Sequence, residues 1–291
     1  MECKSLAEVE LRDATYPLNR SVPSNFLPAL RTAAQLRELV ALSVIDPSLS
    51  KVIVLSGKVV GCCLVERAAD GATLSALGIE PLAQQRGGGR VLLDAVTTAA
   101  RAAKLHWLSV ESSAADASQQ ALLLSAGFAI QGSRCRMALT QPPNRSLLPS
   151  NGDGSSDSAT TEALVTTGTI DAALTFLSSQ PDWQPAPSAS PSVLRKLASR
   201  LMAFFWEGAS APQAVLVIDK ERKLIVTLAG QMAAMAALGV YAAAYHGVAF
   251  ADSLPADSPE VSALSLSGFA TVALRSELRL SLSATESQSA P

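Results

Sequence analysis

Gln84, Gly87, Gly88 and Gly89, with Arg86 and Arg90 beside them, are the residues whose types and spacing could hold an anion. A strand-like apolar run ends at Pro81, the glycines follow, and an apolar-periodic segment begins at Val91. That order predicts a strand, a tight turn and a helix with a bare N-terminus. The first N–H groups of a helix lack internal partners, and the macrodipole adds partial positive charge there. Glycines let the chain curl so that several N–H groups converge on one anion. The pattern fits a pyrophosphate cradle, although a glycine-rich turn also serves as a plain surface loop. No lysine follows Gly89, which excludes a Walker loop, and Leu92 stands where a dinucleotide fingerprint needs its last glycine.

Other chemistry-bearing side chains are sparse. Glu111 ends an apolar run and could take a proton from a reacting group through water; a solvated strand-end glutamate is the plainer reading. Glu80 lies close to the cradle, where its charge would repel phosphate, and is expected to turn to solvent. His106 and His246 are isolated in apolar surroundings and read as structural. Cys3, Cys62, Cys63 and Cys135 form neither a CxxC pair nor a disulfide framework, which points to a reducing, cytoplasmic setting. No metal-ligand spacing is present.

The elements that must position the cradle are legible on both sides of it. Residues 51–68 read as a β-hairpin turning at Ser56-Gly57-Lys58, and Thr73 to Ile79 as the strand entering the loop. Val91 to Lys104 carries one apolar helical face, Leu105 to Glu111 is a buried strand, and Asp116 to Ala126 a second helix stopped by Gly127. A last β run extends from Phe128 to Leu139. Residues 9–14 are expected as the first strand and 25–45 as leading helices.

Residues 1–140 resemble the GCN5-related N-acetyltransferases. Gln84-x-x-Gly87-x-Gly89 matches the acyl-CoA signature of that superfamily, with Pro81 and Leu92-Leu93 at the spacing it uses. The resemblance implies an α/β fold with a mixed α+β sheet, and acetyl-CoA as co-substrate without a metal. The pantetheine arm would lie in a gap between the fourth and fifth strands, against the backbone of Leu77, Gly78 and Ile79. The pyrophosphate would rest on the N–H groups of Gln85, Arg86, Gly87, Gly88, Gly89 and Arg90, with Gln84 opening the signature. Asp116 stands where the family has an asparagine at the start of its last helix. A primary amine of a small molecule or peptide would then attack the thioester directly. Two positions depart from the pattern. Leu123 replaces the tyrosine that usually protonates the leaving thiolate, and Gly88 replaces a branched apolar residue, which is expected to loosen the cradle.

The 291 residues suit two domains, and 48% apolar content supports real cores. A net charge of −2, with no cluster of Lys and Arg among aromatics, argues against a nucleic-acid partner. Residues 141–165, rich in Pro, Ser, Gly and Asp, read as a flexible linker, 166–285 as a second domain and 286–291 as a disordered tail. Gly268-Phe269 echoes Gly127-Phe128, and Asp257 precedes its glycine by eleven residues, as Asp116 does. The halves therefore read as a tandem duplication. The second lacks a glycine-rich loop, so it is not expected to bind acyl-CoA. Residues 229–251 have membrane-spanning length, but Gln231 and His246 interrupt them and no basic flank orients them. A buried helix plus strand is the preferred reading, with no membrane partner. The sequence offers no reading of oligomeric state. Two functions from different classes stay open: an N-acetyltransferase, and an acyl-CoA-binding scaffold that has lost its general acid.

Overall fold

A computed structural model describes residues 1–20, 32–68, 70–113, 116–149, 164–181, 183, 185–186 and 189–282. Much of the expected linker (150–163), part of the leading helices (21–31) and the tail (286–291) lie outside the described residues. Two compact units result. Residues 1–132 together with 275 onward form the first, and Ser133–Leu274 the second.

The first half runs β1 (Glu2–Ser5), α1 (Leu11–Arg20), α2 (Ala33–Ala41), β2 (Lys51–Leu55), β3 (Lys58–Arg67), β4 (Gly71–Ile79), α3 (Pro81–Gln84), α4 (Gly88–Ala102), β5 (Trp107–Ser113), α5 (Ala117–Ser125) and β6 (Ala129–Leu139). The expected first strand at 9–14 is instead the start of α1, and the strand lies earlier, paired antiparallel with β2 through Cys3↔Ile53. Pro17 is tolerated inside α1, where it is buried. The hairpin stands as expected. Ser56 and Gly57 both take left-handed backbone, φ 50° and 77°, the requirement of a two-residue turn between twisted strands.

The second half runs β7 (Val165–Gly168), α6 (Ile170–Ser178), α7 (Pro191–Lys196), β8 (Leu201–Glu207), β9 (Pro212–Asp219), β10 (Leu224–Gly230), α8 (Met232–His246), β11 (Phe250–Pro255), α9 (Pro259–Leu266) and β12 (Phe269–Ser281). Apart from α3, which has no counterpart between β10 and α8, it repeats the order of the first. In each, two helices lie between the first two strands, and a long helix joins two strands that pair in parallel. Buried Asp219 holds the turn between β9 and β10, accepting from the N–H groups of Glu221 and Arg222 and pairing with Arg200 at 3.0 Å.

The boundaries differ from those expected, because the halves exchange their last strands. β6 follows α5 in sequence yet pairs antiparallel with β11 of the second unit. β12 follows α9 yet pairs antiparallel with β5 of the first unit, from Arg275↔Ser113 to Ser281↔Trp107. The first unit therefore ends at Gly132 and regains the chain at Arg275. Alternation along a strand is the same wherever its partner comes from, so hydrophobic pattern alone does not choose between them.

Both units have true cores. In the first, Leu92, Val96 and Ala100 on one face of α4 pack with Leu74, Leu108 and Val110, joined by Leu278 of β12 and by Leu282 just past its end. In the second, α8 is buried around most of its circumference, from Ala234 to Ala243. Its small residues permit close packing: a Cβ at Gly239 would meet the Ser267 hydroxyl at 2.7 Å. That hydroxyl donates to the Ala236 carbonyl at 2.7 Å. The apolar stretch at 229–251 is thus strand end, 15-residue helix and strand, and among the described residues no helix is long and apolar enough to cross a membrane. Phe204 and Phe205 lie on β8 in two second-unit cores.

His246 closes α8. Its ring lies 4.7 Å from Phe204 and 5.4 Å from Tyr241, centroid to centroid, and its buried Nε2 has no hydrogen-bond partner. Burial, reinforced by Lys223, lowers its pKa from 6.5.

Leu278 is fully buried, so Leu278→Ala, although near the end of the chain, should cost about 2–5 kcal/mol in denaturant unfolding. A loss within about 0.5 kcal/mol, as at an exposed site, would show that β12 does not complete the first core. For His246, the unfolded chain binds the proton at higher pH than the native protein does. Stability is therefore complete above pH 6.5 and declines as pH falls below it. Thermal midpoints between pH 7.5 and 5.5 should fall more steeply for the unaltered protein than for His246→Phe; equal slopes would refute the linkage.

Candidate functional site

The site begins where two parallel strands part. β4 and β5 pair from Gly71↔Trp107 to Leu74↔Val110 and no further. At that point Ser75 is an extra residue on β4, since Leu64 of β3 faces Ala76 while Val65 faces Leu74. Such a bulge bends and twists the strand that carries it. Beyond it, the Glu80 N–H donates to Val60 of β3 at 2.8 Å. By two-residue alternation, the backbone of Gly78 also turns to β3, and that of Leu77 and Ile79 turns to the gap. Gln84 Nε2 donates to the Ile79 carbonyl on that side, at 2.7 Å. Gly78 leaves the expected cofactor set: a Cβ there would meet the Pro17 carbonyl at 2.6 Å, so its role is to let α1 lie close on the sheet.

The loop is more compact than its sequence suggests. Pro81 opens the single turn of α3, and the N–H groups of Gln85, Arg86 and Gly87 donate to the carbonyls of Pro81, Ala83 and Gln84 at 3.2, 3.2 and 3.1 Å. Those three N–H groups are engaged within the loop, which corrects the expectation that the whole run from Gln85 would face phosphate. The first-turn N–H groups of α4, from Gly88 to Arg90, keep the helix-terminal position. Gly87, left-handed at φ 76° and ψ 18°, makes the turn into α4. Gly88 does not loosen the cradle. A Cβ on it would stand 2.8 Å from the Ala83 carbonyl oxygen, so glycine is what lets the two turns close. At Gly89 a Cβ would meet the Leu122 side chain at 2.6 Å.

A cavity of about 460 Å³ occupies this end of the first unit. It gathers Leu77 and Ile79 from β4, Gln84, Gly87, Gly89 and Arg90 from the loop, and Asp116 at the start of α5. Gln85, Arg86 and Gly88 do not line it; Arg86 is exposed and Gly88 is buried. Arg90 is braced, donating to Asp94 at 2.9 Å and to the Ser125 carbonyl at 2.9 Å. Asp116 caps α5 by accepting from the Gln119 N–H at 2.9 Å, so its carboxylate is fixed at the rim. Ser118, Gln119 and Leu122 complete the lining and were missed in the sequence. Their signal was available in the first two turns of α5, at helical spacing from Asp116, once Gly89 is known to face that helix.

Leu77, Glu111 and Leu123 do not share one cavity. Leu123 is fully buried in the core, and Leu122 takes its expected place beside the gap. Glu111 is the first β5 residue past the last pair with β4. Its neighbour Val110 points into the α4 core, so Glu111 points to the opposite face, where α1 lies. It is not solvated. Its side chain is 7% exposed and its Oε2 lies 3.5 Å from Arg275 Nη1. Glu80 is half-buried and borders a second cavity of about 620 Å³ with Arg12 and Lys58. Among the described residues no group of three His, Cys, Asp or Glu could hold a metal ion.

No protein-family model matches the sequence, and no curated protein matches it. Solved structures do match it, over nearly the whole chain. A tandem GNAT protein from the clavulanic acid biosynthesis pathway aligns over 97% of this chain and 99% of its own, with TM-score 0.65 and 13% identity. The chain has the tandem fold of the GCN5-related N-acetyltransferases. A protein from Pyrococcus horikoshii assigned as an acetyltransferase aligns over 96% of this chain and 89% of its own, with TM-score 0.69 and 13% identity. A GCN5-related N-acetyltransferase from Sphaerobacter thermophilus aligns over 97% and 95%, with TM-score 0.64 and 13% identity. In GNAT-fold terms the first unit carries the parted strands, the glycine loop and the cavity. The second unit has parted strands as well, its β10 and β11 pairing only at Leu224↔Phe250 and Ile225↔Ala251 beside a bulge at Val226, but Gly230 stands alone before α8 in place of the glycine loop. Its Gln231 N–H already donates to the Gln213 carbonyl at 2.8 Å.

The glycines can be separated by denaturant unfolding. Gly88→Ala, which collides with backbone, should cost about 1–3 kcal/mol. Gly87→Ala meets no atom but must hold positive φ, and should cost about 1–2 kcal/mol. Arg86→Ala should stay within about 0.5 kcal/mol. Equal losses at Gly88 and Arg86 would remove the steric account of the loop.

Proposed function

We propose that the first unit binds acetyl-CoA and transfers its acetyl group to a primary amine of a small molecule or peptide. The observation that carries this reading is the coincidence of three features at one cavity. These are the outward backbone of Leu77 and Ile79, the first turn of α4 behind Gly87, and walls from α5. A thioester-bearing arm suits the strand gap, because an extended chain can take up backbone groups that β5 no longer pairs. A pyrophosphate suits the start of α4, where Gly88–Arg90 N–H groups and the helix dipole converge. Leu77, Ile79, Gln84, Gly87, Gly89, Arg90 and Asp116 would hold the cofactor. Gln85, Arg86 and Gly88 would shape the loop.

In such a transfer the amine approaches from the face that carries Glu111. Its ammonium proton passes to the Glu111 carboxylate through water. The nitrogen bonds the acetyl carbon and the carbon–sulfur bond breaks; the nitrogen's second proton is given up to water, and that water passes a proton to the CoA thiolate, so the products are the amide and the free thiol. Holding amine and thioester together supplies most of the acceleration. A second reading, an acyl-CoA-binding scaffold without turnover, is favoured by Leu123 alone: it is buried core, and Ser118 is the sole hydroxyl side chain among the cavity's lining residues.

Calorimetry with acetyl-CoA tests the cofactor. Binding is expected, and Gly89→Glu, which fills the cavity beside Leu122 with a negative charge, should weaken it at least about 10-fold, or 1.4 kcal/mol. Absent binding, or binding indifferent to that change, defeats both readings. Release of CoA thiol in the presence of spermidine, tyramine, an alkyl amine and an alanyl tripeptide then separates them. Turnover with any of these supports the transferase, and binding without turnover supports the scaffold.

A further inference from the structure

Arg275 reaches the first unit on a strand that the sequence attaches to the second half of the chain. Its side chain is 8% exposed and meets Glu111, itself 7% exposed, at 3.5 Å. We propose that Arg275 is a positioning residue for the transfer, holding the Glu111 carboxylate at the mouth of the strand gap where the acceptor amine arrives. The proposal rests on the acetyl-transfer reading given above.

Placement is the first argument. Glu111 is the residue at which β5 loses β4 as a partner, so its carboxylate stands where the two strands begin to part. Arg275 approaches from the other side, on β12, where it pairs in register with Ser113, two residues along from Glu111. On this face an arginine at 275 is a diagonal cross-strand neighbour, within reach of a long side chain.

Charge is the second. Glu277 of β12 stands directly opposite Glu111 in the register, and like charges at such a position destabilise a sheet. Other polar groups of the strands on this face are Thr73 of β4 and Ser109 of β5, hydrogen-bonded to each other at 2.8 Å, Ser75, buried Glu66 of β3, and Arg279 of β12, and α1, packed on β3 and β4, carries Arg12, Asp13, Tyr16 and Arg20. Arg279 is committed elsewhere, lying 4.7 Å over the Trp107 ring. On the other side of the sheet Asp116 is fixed as the cap of α5. Arg275 is therefore the cation that meets Glu111. A buried carboxylate deprived of such a partner is strongly disfavoured in its charged form.

Chemistry is the third. A group that accepts the ammonium proton must be present as carboxylate and must stay aimed at the gap. One arginine on the neighbouring strand serves both needs. The exchange of last strands then acquires a functional consequence, since β12 brings the acceptor chemistry of the first unit a residue that α5 and β6 do not supply.

The test uses the full-length protein and whichever amine of the four gives the most thiol release. Arg275→Gln should lower kcat about 10- to 100-fold at neutral pH, the range of a lost acid–base contribution. The KM for acetyl-CoA should stay within roughly 2-fold, and the rate should recover in part at high pH. Arg275→Lys, which keeps the charge, should regain most of the rate, and Glu111→Gln should lose as much as Arg275→Gln. Where Arg275→Gln does not fold, Arg275→Lys and Glu111→Gln carry the comparison. Turnover that ignores Arg275→Gln, or that falls equally at every pH together with acetyl-CoA binding, overturns the proposal and leaves the transferase reading intact. Absence of turnover in the unaltered protein overturns both.

Discussion

Two parallel strands can part only if each is held on its far side. In the first unit β3 holds β4, and β12 holds β5. Between Leu74/Val110 and the strand ends β4 has no strand on its β5 side, which is costly in a folded chain unless a partner is supplied. The Ser75 bulge sets where the parting starts. Everything else at the site depends on that gap: the compact loop that closes one end of it, the cavity beside it, and the glutamate at its mouth.

The loop shows how a glycine run divides its labour. Gly87 supplies a left-handed turn, Gly88 an absence of Cβ against a carbonyl, and Gly89 a cavity wall that stops at the backbone. The arginines divide similarly. Arg90 is braced between Asp94 and the end of α5, whereas Arg86 points outward from the loop. A residue pattern that looks like one uniform cradle is, in three dimensions, a turn, a close contact and a helix start.

The two units show what a duplication can keep and lose. Both retain helices between the first strands, a long helix between parallel strands, and a glycine in left-handed backbone before the last strand, Gly127 at φ 90° and Gly268 at φ 103°. Asp116 caps α5 directly, whereas the matching Asp257 lies one residue before the cap position of α9, which is Ser258. The second unit spent its equivalent of α4 differently. Alanine and glycine let α8 sink into its core against α9, and the helix start that would face a phosphate is tied to Gln213.

The sequence by itself determined the local elements and the kind of loop. The β2–β3 hairpin, the strand into the loop, the apolar face of α4, and the stop at Gly127 are all set by residues a few positions apart, whose φ/ψ and burial preferences agree. The repeat was legible for the same reason, since Gly-Phe pairs and an acid ahead of the last helix are local signals. Tertiary structure alone decided which strand lies beside β5. An alternating apolar strand buries the same face against either neighbour, so the pattern in β6 and β12 does not reveal the exchange. It also decided that Gly78 serves α1 and that Leu122, one position from the expected residue, faces the cavity. Above all it decided that Glu111 is paired and not solvated. Its partner is 164 residues away, the difference between 275 and 111, and no local preference connects the two.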